Sequence, residues 1–340
     1  MVDGEEAVPG AANSAGRVGT DAGGTFTDVV SADGRSAKVL STPVDPARAV
    51  VEACRAVGVD QPDVLAHGTT VATNALLEGR GAPVALLTTA GFEDVIEIAR
   101  QDRPSLYDPF ADRPVPLVPR AWRLGVDERL AADGSVVQRI DVESLSHRLA
   151  ELPLGASGDG RPEAVAVCLL HADLDPAHEA AAAERLRGEG WDVTCSHEVS
   201  PEFREYERTV TTVVNAMLRP RCRSYLRRLA SAAGEVAVMS SAGGLMAVLD
   251  AAERPVALLL SGPAGGVRAA AHAAAANGHP DAVTFDMGGT STDVCLVRGG
   301  QPEPAAGRTV GGYPVRVPSL DVHTVGAGGG SIARFDAGSG

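Results

Sequence analysis

Asp21-Ala22-Gly23-Gly24-Thr25-Phe26-Thr27-Asp28-Val29 returns as Asp286-Met287-Gly288-Gly289-Thr290-Ser291-Thr292-Asp293-Val294, 265 residues further on. Seven of the nine positions are identical, and the wide separation excludes a short-period repeat. Val18-Gly19-Thr20 precedes one copy and Val283-Thr284-Phe285 the other. Val29-Val30 and Val294-Cys295-Leu296-Val297 follow. These flanks favour extended backbone. The sequence therefore predicts strand, Gly-Gly turn, strand, in two places. Two such hairpins can clamp the phosphates of one nucleotide from opposite sides.

The residue types fit that chemistry. Glycines let backbone N–H groups approach anionic oxygens, because no Cβ intervenes. Thr25, Thr27, Thr290 and Thr292 offer hydroxyl donors. Asp21 and Asp286 would repel phosphate. They suit Mg²⁺ or its waters, which bridge phosphate oxygens, or the orientation of an attacking group. A single Asp-x-Gly-Gly-Thr reads equally well as a tight turn; two near-identical copies favour phosphate.

Composition narrows the class. The 340 residues are enough for two or three domains. The net charge of −14 argues against a non-specific nucleic-acid binder. Lys38 is the only lysine, and no Gly-x-x-x-x-Gly-Lys string occurs, which excludes a P-loop. The five cysteines (Cys54, Cys168, Cys195, Cys222 and Cys295) are scattered. That spacing suits neither a zinc ribbon, an iron–sulfur centre nor a disulfide framework. No apolar run reaches transmembrane length, so no membrane association is expected. Residues 1–16 are acidic and rich in small residues, unlike a signal peptide. They are expected to form a disordered tail on a cytoplasmic protein.

Strands alternate with helices along the first half, which signals an α/β layer. Asp45-Pro46 and Asp175-Pro176 open helices, and Gly58 and Gly79 close two. Five prolines between Asp102 and Pro119 forbid regular structure there. Gly155 to Pro162 reads as a loop. A long helix is expected from Pro201 to about Ala230, kinked at Pro220. Its Glu202, Arg204, Glu205, Glu207 and Arg208 form either a solvated charged face or a surface facing substrate. Val256–Leu260 reads as a strand running into Ser261-Gly-Pro-Ala-Gly-Gly266, an anion-binding helix start in prospect. Val325-Gly-Ala-Gly-Gly-Gly-Ser331 could lie flat against a nucleoside, or be a flexible loop.

Two phosphate hairpins on two α/β lobes, with a later Gly-rich loop, describe an α/β fold of the actin-like (ribonuclease H-like) two-lobed ATPase type. The expected divisions are a tail at 1–16, a first lobe at 17–200 and the start of a second at 201–340. The remaining strings narrow this further. They are Gly19–Asp28, His67-Gly-Thr-Thr-Val-Ala-Thr-Asn-Ala-Leu-Leu-Glu78, Leu87-Thr-Thr-Ala-Gly-Phe-Glu-Asp94, Ser196-His-Glu-Val-Ser-Pro-Glu-Phe-Arg-Glu-Tyr-Glu-Arg-Thr209, Ser261–Gly266, Phe285–Val294 and Val325–Ile332. Through them the chain resembles the hydantoinase A/oxoprolinase family from Gly19 to Ile332.

The resemblance implies ATP-dependent opening of cyclic amides such as hydantoins or 5-oxoproline, as the A-type subunit of an oligomer with a B-type partner. ATP would phosphorylate the amide oxygen. Relatives instead carboxylate ketones. Carried over by motif, Gly23, Gly24, Thr25, Gly288, Gly289 and Thr290 would bind phosphate. Asp21 and Asp286 would manage Mg²⁺ or the reacting oxygen, and Gly328, Gly329 and Ser331 would lie near the nucleoside. His67 is either a general acid/base near the site or a structural turn residue. Thr69 and Arg204 would lie on the substrate side. The family pattern runs on beyond the Gly-rich loop, so the second lobe is expected to be incomplete, and a truncated inactive relative is one reading. A non-enzymatic nucleotide switch is the reading from another class, weakened because no appended peptide-binding module is visible.

Overall fold

The computed structural model describes residues 16–42, 44–102, 104–153, 160–289 and 291–333. Thr290, the expected tail before Gly16 and most of the expected loop at 155–162 lie outside the described residues.

The first hairpin seeds the first sheet. Strands β1 (Arg17–Ala22), β2 (Phe26–Ser31) and β3 (Ser36–Leu40) form an antiparallel meander. Alternation decides the faces: Val18, Thr20 and Ala22 are buried, and Arg17, Gly19 and Asp21 point the other way. Helix α1 (Pro46–Ala56) buries Ala49, Val50 and Ala53 and gives way at Gly58, whose φ is +75°. Strand β4 (Val64–Thr69) then pairs in parallel with β1, and α2 (Val71–Leu77) follows it.

A second sheet is all parallel. Strands β5 (Val84–Thr89), β6 (Arg123–Val126), β7 (Ala164–Cys168) and β8 (Asp192–Cys195) lie in the order β8-β7-β5-β6. Every residue of β5 and β7 is buried, as expected of continuous apolar runs covered on both faces. Helix α3 (Ala177–Gly188) connects β7 to β8. The expected irregular stretch at 102–119 has no helix or strand among its described residues. Its end is pinned by the buried Arg123, which donates to Val118 O at 2.9 Å and meets Glu97 at 2.7 Å.

The long helix α4 (Glu205–Ala230) starts four residues later than expected, after Arg204 turns the chain at φ +82°. It packs against β5, β7 and β8 of the second sheet and against α1 and α2 of the first. Leu218, Leu226 and Leu229 are fully buried in the core that both sheets share. Pro220 sits inside the helix, and nearby the carbonyl of Met217 also accepts the N–H of Ala82 at 2.9 Å. The solvated charged face is not what forms at Arg208. That side chain is 1% exposed and held by Asp173 at 2.5 Å, Leu169 O at 2.7 Å and Glu202 O at 3.0 Å.

After α4 the chain returns to the first sheet. Strand β9 (Glu235–Met239) pairs in parallel with β4, and β10 (Leu245–Ala247) pairs with β9. The first sheet is therefore β10-β9-β4-β1-β2-β3, and its hydrogen bonds cross the division expected at 200. Val256–Leu260 is not the expected strand. Pro255 opens a 3-10 turn over Pro255–Leu258, and the side-chain carbonyl of Asn215 accepts the N–H of Val256. Helix α5 (Ser261–Ala276) follows directly. It leads to a third sheet of β11 (Ala282–Met287), β12 (Thr292–Arg298), β13 (Gln301–Pro302) and β14 (Val322–Val325), with β14 on β12. Its small core holds Ala264, Val267, Cys295, Leu320 and Val322. Val283, Phe285 and Met287 of β11 are exposed together, a contiguous apolar face.

Removing Arg208 leaves the part-buried carboxylate of Asp173 and the carbonyls of Leu169 and Glu202 without their donor. Arg208→Ala is expected to lower the free energy of unfolding by about 3–5 kcal/mol, measured by urea denaturation. A loss below about 1 kcal/mol, the scale of an exposed pair, would contradict this packing.

Candidate functional site

Both copies of the duplicated motif fold as antiparallel hairpins in one register. Asp21 lies opposite Asp28 and Ala22 opposite Thr27 in the first. Asp286 lies opposite Asp293 and Met287 opposite Thr292 in the second. The turns close alike, Gly23 N donating to Phe26 O at 3.0 Å and Gly288 N to Ser291 O at 2.9 Å. A Cβ on Gly23 would come within 3.1 Å of Phe26 O, so the tight turn favours glycine. The N–H groups of Gly24 and Thr25 carry no hydrogen bond among the described residues. They are free donors at the tip of the first hairpin.

The two-residue period separates the threonines from the aspartates. Thr27 is completely buried and its hydroxyl pairs with Ser41 Oγ at 3.0 Å; Ser41 in turn donates to Gly23 O at 2.8 Å. Thr292 is also buried and donates to Ala327 O at 2.6 Å. This corrects the expectation that these two hydroxyls reach phosphate. Each braces its turn from beneath, and Thr25 is the described threonine left exposed at a tip.

The third Gly-rich segment is not a free loop. Gly329 N donates to Gly288 O at 2.9 Å and Gly330 N to Gly289 O at 3.0 Å. A Cβ on Gly330 would lie 3.1 Å from Gly289 O. Ser331 folds back, its hydroxyl accepting from Gly328 N at 3.0 Å. Gly328, Gly329 and Ser331 are thereby brought to the second hairpin.

Asp21 faces a cleft of about 1030 Å³, lined also by Asp28, Lys38, Gly68, Gly265 and Gly266. Lys38 pairs with Asp28 at 3.0 Å. Partial desolvation, and then the charge of Asp28, hold the Asp21 carboxyl above the usual carboxylate range. Gly68 and Gly266 are residues the sequence analysis missed. A Cβ on Gly68 would press within 2.9 Å of Asp21 Oδ1, and one on Gly266 would touch Asp286 Oδ2 at 3.9 Å. A glycine inside strand β4, opposite Asp21, was the available signal. The N-terminal turns of α5 thus form a wall of the Asp21 cleft, with Gly266 beside Asp286.

His67 and Thr69 turn away. His67 is 1% exposed on the core face of β4. Its Nδ1 meets Thr20 Oγ1 at 2.9 Å and its Nε2 meets the Tyr225 hydroxyl. Burial pulls its pKa down to about 3, so the ring is neutral at physiological pH. With both nitrogens engaged it is placed to hold β1, β4 and α4 together, the structural alternative. Thr69 is buried too; its hydroxyl accepts from Val71 N and its carbonyl from Ser261 Oγ at 3.2 Å. Arg204 stacks over the ring of Phe203 at 5.2 Å and lines neither cavity at the first hairpin. Thr69 and Arg204 do not line the Asp21 cleft, and His67 contributes to its wall while its ring is held in the core.

The described residues contain one cluster with metal-ligand chemistry away from the cleft, Glu179, Cys195 and His197. The Glu179 carboxylate already accepts Leu169 N, Ser196 Oγ, His197 N and His197 Nδ1, at 2.7 to 3.0 Å. That satisfaction explains it as an anchor for the segment after β8. No helix among the described residues is long and apolar enough to cross a membrane.

Comparison with known proteins agrees with these motifs. The family profile "Hydantoinase/oxoprolinase N-terminal region" matches residues 17–190, and "Hydantoinase/oxoprolinase" matches 208–340. Caprolactamase subunit alpha of Pseudomonas jessenii is 36% identical, over 94% of this chain and 49% of that protein. The crystal structure of the ATP-dependent caprolactamase from the same organism superposes with a TM-score of 0.82 at 34% identity, covering 94% of this chain and 49% of its own. Nucleotide-free acetone carboxylase gives a TM-score of 0.75 at 26% identity, over 95% and 49%. The chain spans about half the length of the curated relatives it matches first.

The buried neutral His67 sets a pH dependence. An unfolded histidine takes up a proton near 6.5, whereas the folded one resists to about 3. The stabilisation is complete above 6.5 and is lost as pH falls, by up to about 1.4 kcal/mol per unit. His67→Gln is expected to flatten the unfolding free energy between roughly pH 6 and 4, inside the window bounded by the unfolded and folded pKa values. An unchanged slope in denaturation series would contradict the buried neutral ring.

Proposed function

The chain belongs to the hydantoinase/oxoprolinase family, and on that premise we propose that it is the nucleotide-handling part of an A-type subunit in an ATP-dependent cyclic amidohydrolase. The observation that carries the reading is the pair of hairpins in one register, each presenting an aspartate, with the later Gly-rich loop bonded to the second. The first sheet supports an actin-like first lobe: an antiparallel three-strand meander, then parallel strands added beside β1. The third sheet opens with the same hairpin, as a second lobe of that architecture would.

The residues present fit a nucleotide with its cation. Gly23, Gly24, Thr25, Gly288 and Gly289 would face phosphate oxygens, using N–H donors such as those left free at Gly24 and Thr25. Thr290 would join them from outside the described residues. Asp21 and Asp286 would hold Mg²⁺, which would supply charge neutralisation to the phosphates. Gly328, Gly329 and Ser331 would pack near the nucleoside. The γ-phosphoryl group of ATP would pass to the amide oxygen with ADP as the leaving group; water would then add to the activated carbon, the ring C–N bond would break with the nitrogen taking a proton, and inorganic phosphate would be released. Catalysis of the first step is positioning and electrostatic stabilisation.

The higher identity and TM-score of the caprolactamase favour a cyclic amide over a ketone. A relative named as subunit alpha supports assembly with a second subunit.

The test is phosphate release with Mg-ATP, with and without a panel of cyclic amides, in the presence of a candidate second subunit. Release should be stimulated by one class of ring, and Asp21→Asn should reduce it by at least about 10²-fold. Equal release with and without every ring would overturn the reading. Stimulation by a ketone with bicarbonate incorporated would move the assignment to carboxylation.

A further inference from the structure

Lys38 is the one lysine among 30 lysines and arginines in this chain, and it lines the Asp21 cleft. The strand register puts it there. Asp21 on β1 lies opposite Asp28 on β2, and Asp28 lies opposite Lys38 on β3. Residues directly opposite in a sheet share a face, so the three side chains form one row across the cleft wall. Among the described residues lining the cleft, Lys38 is the one lysine or arginine, while Asp21 and Asp28 are both carboxylates. Gly266, in the facing wall, lies beside the carboxylate of Asp286. A nucleoside triphosphate entering there meets several carboxylates and a single cationic side chain.

The second hairpin repeats the row with one replacement. Asp286 on β11 lies opposite Asp293 on β12, and Asp293 lies opposite Thr324 on β14. Thr324 donates its hydroxyl to Asp293 Oδ1 at 2.5 Å, where Lys38 pairs with Asp28 Oδ1 at 3.0 Å. The duplicated motif thus has a charged third member on one side and a neutral one on the other. Lys38 and Thr324 lie outside the repeated nine residues, so only strand pairing matches them.

Lys38 is also placed to change partners. Its side chain is 57% exposed and that of Asp28 is 51% exposed. An exposed pair of this kind is worth about 1 kcal/mol or less. The ammonium lies 5.3 Å from the centre of the Phe26 ring. Phe26 closes the hairpin turn, its carbonyl accepting Gly23 N. The lysine therefore leans from Asp28 toward the tip, where the N–H groups of Gly24 and Thr25 are free among the described residues. A compact ammonium with three donors on a flexible stem suits a phosphoryl group in transit.

We propose that Lys38 is the cationic ligand of the transferred phosphoryl group, and that its pair with Asp28 is a resting contact given up when nucleotide enters. The first hairpin is then the γ-phosphate side. The second, with Thr324 in place of the lysine, holds the ADP portion. In the transfer, the bond from the γ-phosphorus to the oxygen bridging the β-phosphate breaks, and its electron pair leaves on ADP. The bond from phosphorus to the amide oxygen forms. Lys38 stays protonated throughout, donating an N–H to a non-bridging γ-oxygen and offsetting the charge there. This rests on the nucleotide-cleft reading above and adds to it which hairpin meets the group that moves.

Calorimetric titration with Mg-ATP and with Mg-ADP tests this on the 340-residue chain, on Lys38→Ala, Lys38→Arg and Asp28→Asn. Lys38→Ala should weaken Mg-ATP binding by about tenfold or more, the scale of one charge-assisted hydrogen bond. It should weaken Mg-ADP by less than about twofold, as loss of an exposed pair would. Lys38→Arg should recover part of the loss, since the charge survives. Asp28→Asn should not reproduce the loss; a lysine that only braced Asp28 would make the two changes alike. A second measurement needs no substitution. Lys38 carries the only ε-amine, so acetylation by an N-hydroxysuccinimide ester, read on its peptide by mass spectrometry, reports this one site. Mg-ATP should slow that reaction and Mg-ADP should not. A Lys38→Ala loss shared equally by both nucleotides, no loss at all, an equal loss in Asp28→Asn, or acetylation that Mg-ATP leaves unchanged would overturn the assignment. Failure of the unsubstituted chain to bind either nucleotide defeats the parent reading and this one with it, whereas Mg-ATP binding indifferent to Lys38 defeats this assignment alone.

Discussion

Everything at the candidate site depends on the antiparallel register that sets Asp21 opposite Asp28 and Asp286 opposite Asp293. With a two-residue period, that register puts the aspartates on one face of each hairpin and the following threonines on the other. Slipping either hairpin by one residue would exchange the two faces, and in the first it would bury Asp21 and expose Thr27. The inward threonines are the locks. Thr27 holds Ser41, which holds the carbonyl of Gly23; Thr292 holds the carbonyl of Ala327. Two copies of one motif thus use the same residue to fasten two unrelated neighbours, the segment after β3 and the final Gly-rich loop.

The first hairpin rests on a deep foundation. His67 ties β4 to β1 through Thr20 and to α4 through Tyr225. Helix α4 is fixed in turn by Arg208 and by the apolar core shared between two sheets. Glu179 fastens the segment before α4 through three donors, and the end of β7 through Leu169 N. Buried polar groups satisfied in this way specify position as well as stability. Among the described residues, the core cluster under the second hairpin holds five residues, and β11 presents an exposed apolar face.

Much of this was legible in the string. Gly-Gly turns between β-formers announced both hairpins, and Asp-Pro and Gly signals marked α1 and α2 with small error. Faces and partners were harder. His67-Gly-Thr-Thr looks like a loop at a strand end, yet β4 continues through Thr69 and hides both His67 and Thr69. Only the pairing of Asp21 with Gly68 reveals which residue meets the cleft, and pairing is non-local. Val256–Leu260 is as apolar as a strand, but Pro255 and the side chain of Asn215 favour a tight turn. Membership of β9 in the first sheet is also long-range, so a boundary drawn from local composition fell before it. The family profiles divide the chain near the same place, between 190 and 208, whereas the strands of the third sheet begin only at Ala282.

The central claim is that the two hairpins act on one nucleotide. A double-mutant cycle reads it most directly: Mg-ATP affinity of the unsubstituted chain, Asp21→Asn, Asp286→Asn and the double variant, by calorimetry. Residues that share one ligand are energetically coupled. The expected result is saturable binding, weakened by each single change, with the double variant losing clearly less than the sum. Strictly additive losses, or binding indifferent to one of the aspartates, would mean that the hairpins do not close on a common nucleotide.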